Sequence, residues 1–311
     1  MRMSEQQRGH TVVVGVDGSP AAHAALEWAA DAAARRGVGL RIVHGLGMPT
    51  EARGASDRDT EAEEARRYGR ELLSDSAHLV QRIRPEVEAA TVLSPEDGPD
   101  AVLHEARHGD VIVVGSRGLG AVRAIVHGSV TTRAASHAPC PVVAVPAHED
   151  RPTPLDGPHE PRGVIVVGVD GSESSRRALR FGLDEALLGG ASVEVVNSWE
   201  VPLPADVMAL GTDVREAHEE VFDRQSEEIV AGVLAEVIDD RTERVDISAV
   251  RTQTDPVDSL VAAGDRADLV VVGSRGRGGV SGLVMGSVSQ GVIRGSRIPV
   301  AVLPPHSEET E

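Results

Sequence analysis

The 311-residue chain contains no lysine, so all 31 of its basic residues are arginines. That absence excludes a Walker-type phosphate loop, whose lysine sits on the β- and γ-phosphates, and Schiff-base chemistry, which needs a primary amine. A single cysteine, Cys140, rules out an intramolecular disulfide framework and any CxxC metal or redox motif. Cys140 stands between Pro139 and Pro141 before an apolar strand, and the residue matching it later in the chain is Ile298. A buried structural thiol is therefore expected. No apolar run reaches the length of about 18 residues that a membrane span needs, and the opening MRMSEQQRGH lacks the apolar stretch of a secretory signal. The expectation is a soluble, cytoplasmic chain. Its formal charge of −18 comes without a dense arginine cluster, and phosphate backbones are bound by basic patches, so nucleic acid is not an expected partner. The histidines are scattered, and no protein metal site is expected.

What the chain does have is internal repetition. Residues 12–19 read VVVGVDGS and 165–172 read IVVGVDGS; 110–118 read DVIVVGSRG and 268–276 read DLVVVGSRG. The first pair is offset by 153 (170 − 17) and the second by 158 (268 − 110), so the second copy has gained five residues between them. They are expected where 46–63 and 199–221 diverge, because surface connections absorb insertions at small cost. The proline-rich stretch 148–162 reads as a linker between a first domain, 1–147, and a second, 163–305, with a tail at 306–311.

In the first copy, Val/Ile-rich runs at 11–16, 40–44, 87–93, 111–114 and 142–145 alternate with amphipathic stretches at 19–36, 60–83, 98–108 and 129–137. Ser19 before Pro20 is an N-cap signal, and Gly37 and Gly109 are stop signals. Nearly continuous apolar strands are those of a parallel sheet covered on both faces. The fold class is thus α/β: two tandem, doubly wound, five-stranded parallel sheets. The ligand of such a sheet lies at the carboxyl ends of its strands, where the winding reverses.

The fourth run of each copy ends in a specific pattern. Gly115-Ser116-Arg117-Gly118 is followed by nine residues and Gly128-Ser129, and Gly273-Ser274-Arg275-Gly276 by nine residues and Gly286-Ser287. Glycine lets a backbone take positive φ and lie close to a bound group, presenting N–H donors to it, and phosphate oxygens are natural guests. The second Gly-Ser opens a helix, whose free N–H groups and dipole point to the same place. The Ser129 hydroxyl can cap that helix or bond a phosphate. Asp17 and Asp170, each before Gly-Ser, can cap the following helix or accept hydrogen bonds from a ligand. Arg117 and Arg275 read equally as phosphate neutralisers or solvent-facing charges.

Together these residues resemble the universal stress protein family, in its ATP-binding branch, across nearly the whole chain. The resemblance implies a five-stranded α/β sheet and ATP binding by the G-x2-G-x9-G-[S/T] pattern. By position it lays Gly15, Val16 and Asp17 along the adenosine, with His44 and Gly45 bordering the base. Gly115 to Gly118, with Leu119 and Gly120, contact the ribose and phosphates, and Gly128, Ser129 and Val130 the triphosphate. The second copy supplies Gly168, Val169 and Asp170, then Asn197 and Ser198, then Gly273 to Gly276 with Arg277 and Gly278, then Gly286, Ser287, Val288 and Ser289. The implied cofactor is ATP, two per chain, with Mg2+ able to arrive on the nucleotide. Family members commonly dimerise through the last strand, which implies pairing of the two copies through 142–145 and 300–303, or of two chains. The expected function is an ATP-dependent stress-response switch. The alternative is a slow ATP hydrolase, for which the sequence shows no convincing base. A flavin or dinucleotide domain is disfavoured because no GxGxxG follows the first strand.

Overall fold

The computed structural model describes residues 10–47, 56–116, 129–147, 162–199, 212–276 and 285–304, with backbone alone for 56–59, 129 and 212–219. Two compact units divide the chain, the first running to Leu155 and the second from Asp156 to His306. In the first unit the order is β1 (Thr11–Gly15), α1 (Pro20–Arg36), β2 (Gly39–Gly45), α2 (Ser56–Ile83), β3 (Ala89–Ser94), α3 (Gly98–Glu105), β4 (Val111–Gly115), α4 (Ser129–His137) and β5 (Val142–Val145). The second repeats it with β6 (Val164–Gly168), α5 (Glu173–Gly189), β7 (Ser192–Ser198), α6 (Thr212–Val237), β8 (Ile247–Thr252), α7 (Pro256–Gly264), β9 (Leu269–Gly273), α8 (Ser287–Gly295) and β10 (Val300–Leu303).

Strand order is β3-β2-β1-β4-β5 in the first unit and β8-β7-β6-β9-β10 in the second, and the pairs within each run parallel. The winding therefore reverses between β1 and β4, and between β6 and β9, which is where such sheets bind ligands. Helices cover both faces, and Val12, Val13 and Val14 of β1 are fully buried, as are Val270 and Val271 of β9. Each such valine contributes about 1.5–3 kcal/mol of burial. Buried Asp110 ties the amino ends of β1 and β4, accepting from Thr11 N at 2.8 Å and Arg107 N at 2.9 Å. Asp268 does the same for Arg162 N and Gly163 N in the second unit. Cys140 is buried, and desolvation pushes its thiol up to about 12, so it stays protonated and inert at neutral pH.

Two sequence expectations are corrected. Gly37 ends α1 in the left-handed region at φ 63°, but α3 stops at Glu105, and Gly109 (φ 86°) belongs to the turn before β4 rather than to a helix cap. The five extra residues of the second copy also lie later than 199–221. Buried Val80 and Val233 still match at an offset of 153, while Ala89 and Ile247, which open β3 and β8, match at 158. The insertion lies between those matches: the α6–β8 connection, 238–246, has nine residues against five at 84–88, and α6 runs one residue further than α2. There Asp239 holds a tight turn through Arg241 N, Thr242 N and Thr242 Oγ1.

Candidate functional site

The ends of β6 and β9 open into a cavity of about 590 Å3, inside the range of roughly 300–1,000 Å3 usual for small-molecule sites. Gly168, Val169 and Asp170 from β6, Ser198 from β7, Gly273, Arg275 and Gly276 from β9, and Gly286 to Ser289 from α8 all line it. Ser274 does not: it is fully buried, and its Oγ has no partner among the described residues. Arg277 and Gly278 lie outside the described residues, as do Arg117, Gly118, Leu119, Gly120 and Gly128 of the first unit. Of that unit's candidates the structure describes Gly15, Val16, Asp17, Gly45, Gly115, Ser116 and Val130, and the backbone of Ser129.

The β6–α5 turn is built from Asp170-Gly171-Ser172. Gly171 takes φ 81°, a conformation other residues rarely adopt. Asp170 Oδ1 accepts from Ser172 N at 3.0 Å and Ser172 Oγ at 2.6 Å. Ser172, not the aspartate, caps the helix by accepting from Ser175 N. Asp17 likewise accepts from Ser19 N at 2.9 Å, and Ser19 caps α1. The aspartates thus shape the turn and do not act as N-caps.

The motif glycines work differently from expectation. None of Gly273, Gly276 and Gly286 takes a left-handed φ. A Cβ on Gly115 would stand 2.8 Å from Ala21 C and Ala22 N, and one on Gly273 would strike Ser174. These glycines let the first turn of α1 or α5 rest on the end of the fourth strand of its unit. A Cβ on Gly276 would come 2.6 Å from Asp170 Oδ2, so that glycine lets the loop close over the carboxylate. Gly286 is itself the N-cap of α8 and supplies no side-chain bond. Ser287 therefore stands one residue inside the helix, and the capping role considered for its position is excluded in this unit. Arg275 stands in the cavity wall, half-buried, with Nε buried and without a partner among the described residues.

Strand alternation separates the second-strand candidates. Val196 and Ser198 face the cavity. Asn197 is buried beneath, its Nδ2 donating to Val169 O at 2.7 Å and its Oδ1 accepting from Ser226 Oγ. His44 holds the matching place at 2.7 Å from Val16 O, which as an acceptor fixes Nδ1 as the protonated nitrogen. His44 and Asn197 thus brace the strand ends, and Asn197 is not part of the cavity wall. Gly45 packs against the start of α3, where a Cβ would lie 2.7 Å from Asp97 C. Val169 donates its N–H to Val196 O, so it offers a ligand side-chain surface.

The sequence reading missed Ser175, Val196, Pro256, Leu260, Val272 and Met285, which complete the cavity wall. Val196 was legible as the residue two before Ser198 on one strand face. His104-Glu105-Ala106-Arg107-His108 also has the H-E-x-x-H spacing of a zinc-binding helix, which the reading above does not credit. The structure does not make it one. The helix ends at Glu105 and Ala106 is extended, so the two histidines share no helical face. Glu105 pairs with Arg41, and His104 with Glu96 at 3.1 Å, a hydrogen bond that raises the imidazole pKa. Among the described residues no His/Cys/Asp/Glu cluster could hold a metal.

Comparison with known proteins decides the family. The family model described as "Universal stress protein family" matches residues 9–146 and 162–304. The chain belongs to the universal stress protein family. Universal stress protein Rv1996 of Mycobacterium tuberculosis is 33% identical over 318 residues, covering 96% of both chains. Universal stress protein Rv2005c of the same organism is 32% identical over 316 residues, covering 96% of this chain and 99% of that one. A universal stress protein from Archaeoglobus fulgidus shares the fold at a TM-score of 0.62, with 18% identity over 96% of this chain and 97% of that one. No helix among the described residues is long and apolar enough to cross a membrane.

Proposed function

We propose that this universal stress protein is an ATP-binding stress-response switch with one nucleotide site in each unit. The observation that carries the reading is the start of α8. Helices α1, α3, α5 and α7 each have a side-chain cap on a first-turn N–H, from Ser19, Asp97, Ser172 and Asp255. Helix α8 has none, and its first residues line the cavity at the winding reversal. Uncapped donors at the positive end of a helix dipole favour an anion. The apolar remainder, Val169, Val196, Leu260 and Met285, suits a flat base rather than a bare phosphate.

Among the described residues, the charged groups lining the cavity are Asp170 and Arg275. Arg275 is placed to neutralise phosphate charge. One carboxylate cannot encage Mg2+, so a metal ion would be held chiefly by the phosphates and water, with Asp170 as the carboxylate of the described lining. Hydrolysis needs a base to orient water, and Asp170 Oδ1 already accepts two hydrogen bonds. The reading is therefore a binding switch with slow turnover. Mass-spectrometric identification of the nucleotide carried by protein purified without added ligand, followed by calorimetric titration, tests it. ATP recovered and a stoichiometry near two per chain is the expected result; a chain that neither carries nor binds adenine nucleotide refutes it.

A further inference from the structure

One residue of each last helix is bonded backwards. Ser289 is 2% exposed, and its Oγ donates to the Ser274 carbonyl at 3.2 Å, with the Gly286 carbonyl also near at 3.4 Å. In the first unit Thr131, 1% exposed, donates from Oγ1 to the Gly115 carbonyl at 3.0 Å. The two residues match by the offset of the later motif, 289 − 131 = 158. A helical hydroxyl ordinarily bonds a carbonyl three or four residues back in its own helix. Here the nearer acceptor lies fifteen or sixteen residues back, at the Ser274 carbonyl just past β9 and at the Gly115 carbonyl that ends β4. In the second unit Gly286 N also donates to the Ser274 carbonyl, at 2.7 Å, so one oxygen gathers both ends of the glycine loop.

We propose that Thr131 and Ser289 are positioning residues: their hydroxyls pin the start of the last helix to the end of the fourth strand, and in the second unit this holds the uncapped N–H groups of α8 where a phosphate is bound. This rests on the nucleotide reading above. Hydrogen bonds weaken steeply as distance and angle depart from ideal, so an uncapped helix start aims well only if something else fixes it. Backbone contact alone gives the second unit one such bond, from Gly286, and the Ser289 hydroxyl supplies another. The sequence reading had placed Ser289 among the nucleotide contacts; its hydroxyl proton is committed to the loop instead.

The test uses the full chain with Ser289→Ala and Ser289→Thr. Calorimetry with ATP and with adenosine reads binding, circular dichroism reads folding, and hydrogen exchange of 285–290 without nucleotide reads the helix start. Ser289→Ala should weaken ATP at one of two sites by about five- to tenfold, the loss of roughly one hydrogen bond, and leave adenosine unchanged. Exchange over 285–290 should quicken, and Ser289→Thr, the residue type of the first unit, should restore both. Wild-type ATP affinity with unchanged exchange overturns the proposal, as does an equal loss for ATP and adenosine, the mark of a merely structural role. A wild-type chain that binds no ATP refutes the nucleotide reading, and the exchange comparison still decides whether the hydroxyl pins the helix.

Discussion

A Cβ at Gly276 would stand 2.6 Å from the Asp170 carboxylate, while one at Gly115 would stand 2.8 Å from the backbone of α1, so the first and last glycines of the loop motif have separate tasks. Gly276→Val should push Asp170 or the loop out of place and weaken ATP at the second site by at least tenfold, about 1.4 kcal/mol. Circular dichroism should be unchanged, because the residue is exposed and outside the sheet. Asp170→Ala removes the acceptor of Ser172 N and Oγ and should cost about 1–3 kcal/mol in the turn and the site together. Because the clash is with that carboxylate, Gly276→Val should cost less in an Asp170→Ala background, and calorimetry on the four chains measures the coupling. Additive losses would show that the valine acts elsewhere. Gly115→Ala should behave oppositely. Its neighbours, Ala21 and Ala22, are backbone atoms that cannot swing aside, so overpacking of about 1–3 kcal/mol should lower the melting temperature of the first unit. The second site should still titrate normally.

At the scale of elements, what could be read in advance was what depends on one residue's local chemistry. Strands of buried valine, the Ser19 cap before Pro20 and the stop at Gly37 appear within a residue or two of expectation, since each is fixed by period and backbone preference. The misses needed partners far along the chain. His44 and Asn197 stood beside the expected base site in sequence, but strand alternation buries them against the first-strand carbonyls. The cavity wall from α7, Pro256 and Leu260, belongs to no motif and is brought in only by the packing of that helix. The insertion was sought where the copies look least alike, whereas burial keeps α2 and α6 in register and lets the following turn absorb the length. The Ser172 cap joins both levels, because its Oγ accepts from Ser175 N and donates to Asp170. Ser172→Ala should therefore lower the stability of the second unit by about 1–2 kcal/mol and also weaken its nucleotide site. Ser19→Ala should show the stability loss in the first unit. Thermal melts paired with titrations separate the two effects, and a Ser172→Ala chain with wild-type affinity would detach the cap from the site.

For the whole molecule the question is what two copies in one chain achieve that one would not. Each unit ends its sheet in a four-residue apolar strand, Val142–Val145 in the first and Val300–Leu303 in the second. Taken as a unit by itself, each would present an apolar edge strand, a hazard for association unless it is paired. Fusing the copies would keep two such edges at high local concentration, which favours pairing within the chain over pairing between chains. The expectation is that 1–147 and 163–305, expressed separately, each self-associate or precipitate, and that mixing them at equal amounts yields a one-to-one complex by light scattering. Replacing Val143 and Ala301 with glutamate places charge in the middle of both strands and should leave the isolated units monomeric if they still fold by circular dichroism. Titration of the full chain completes the test: if pairing of the units shapes the nucleotide sites, the fused chain binds ATP more tightly than either unit alone, and equal affinities would mean that each unit binds on its own. Separate units that stay monomeric and soluble at high concentration, with no complex on mixing, would show that these strands are not the association surface.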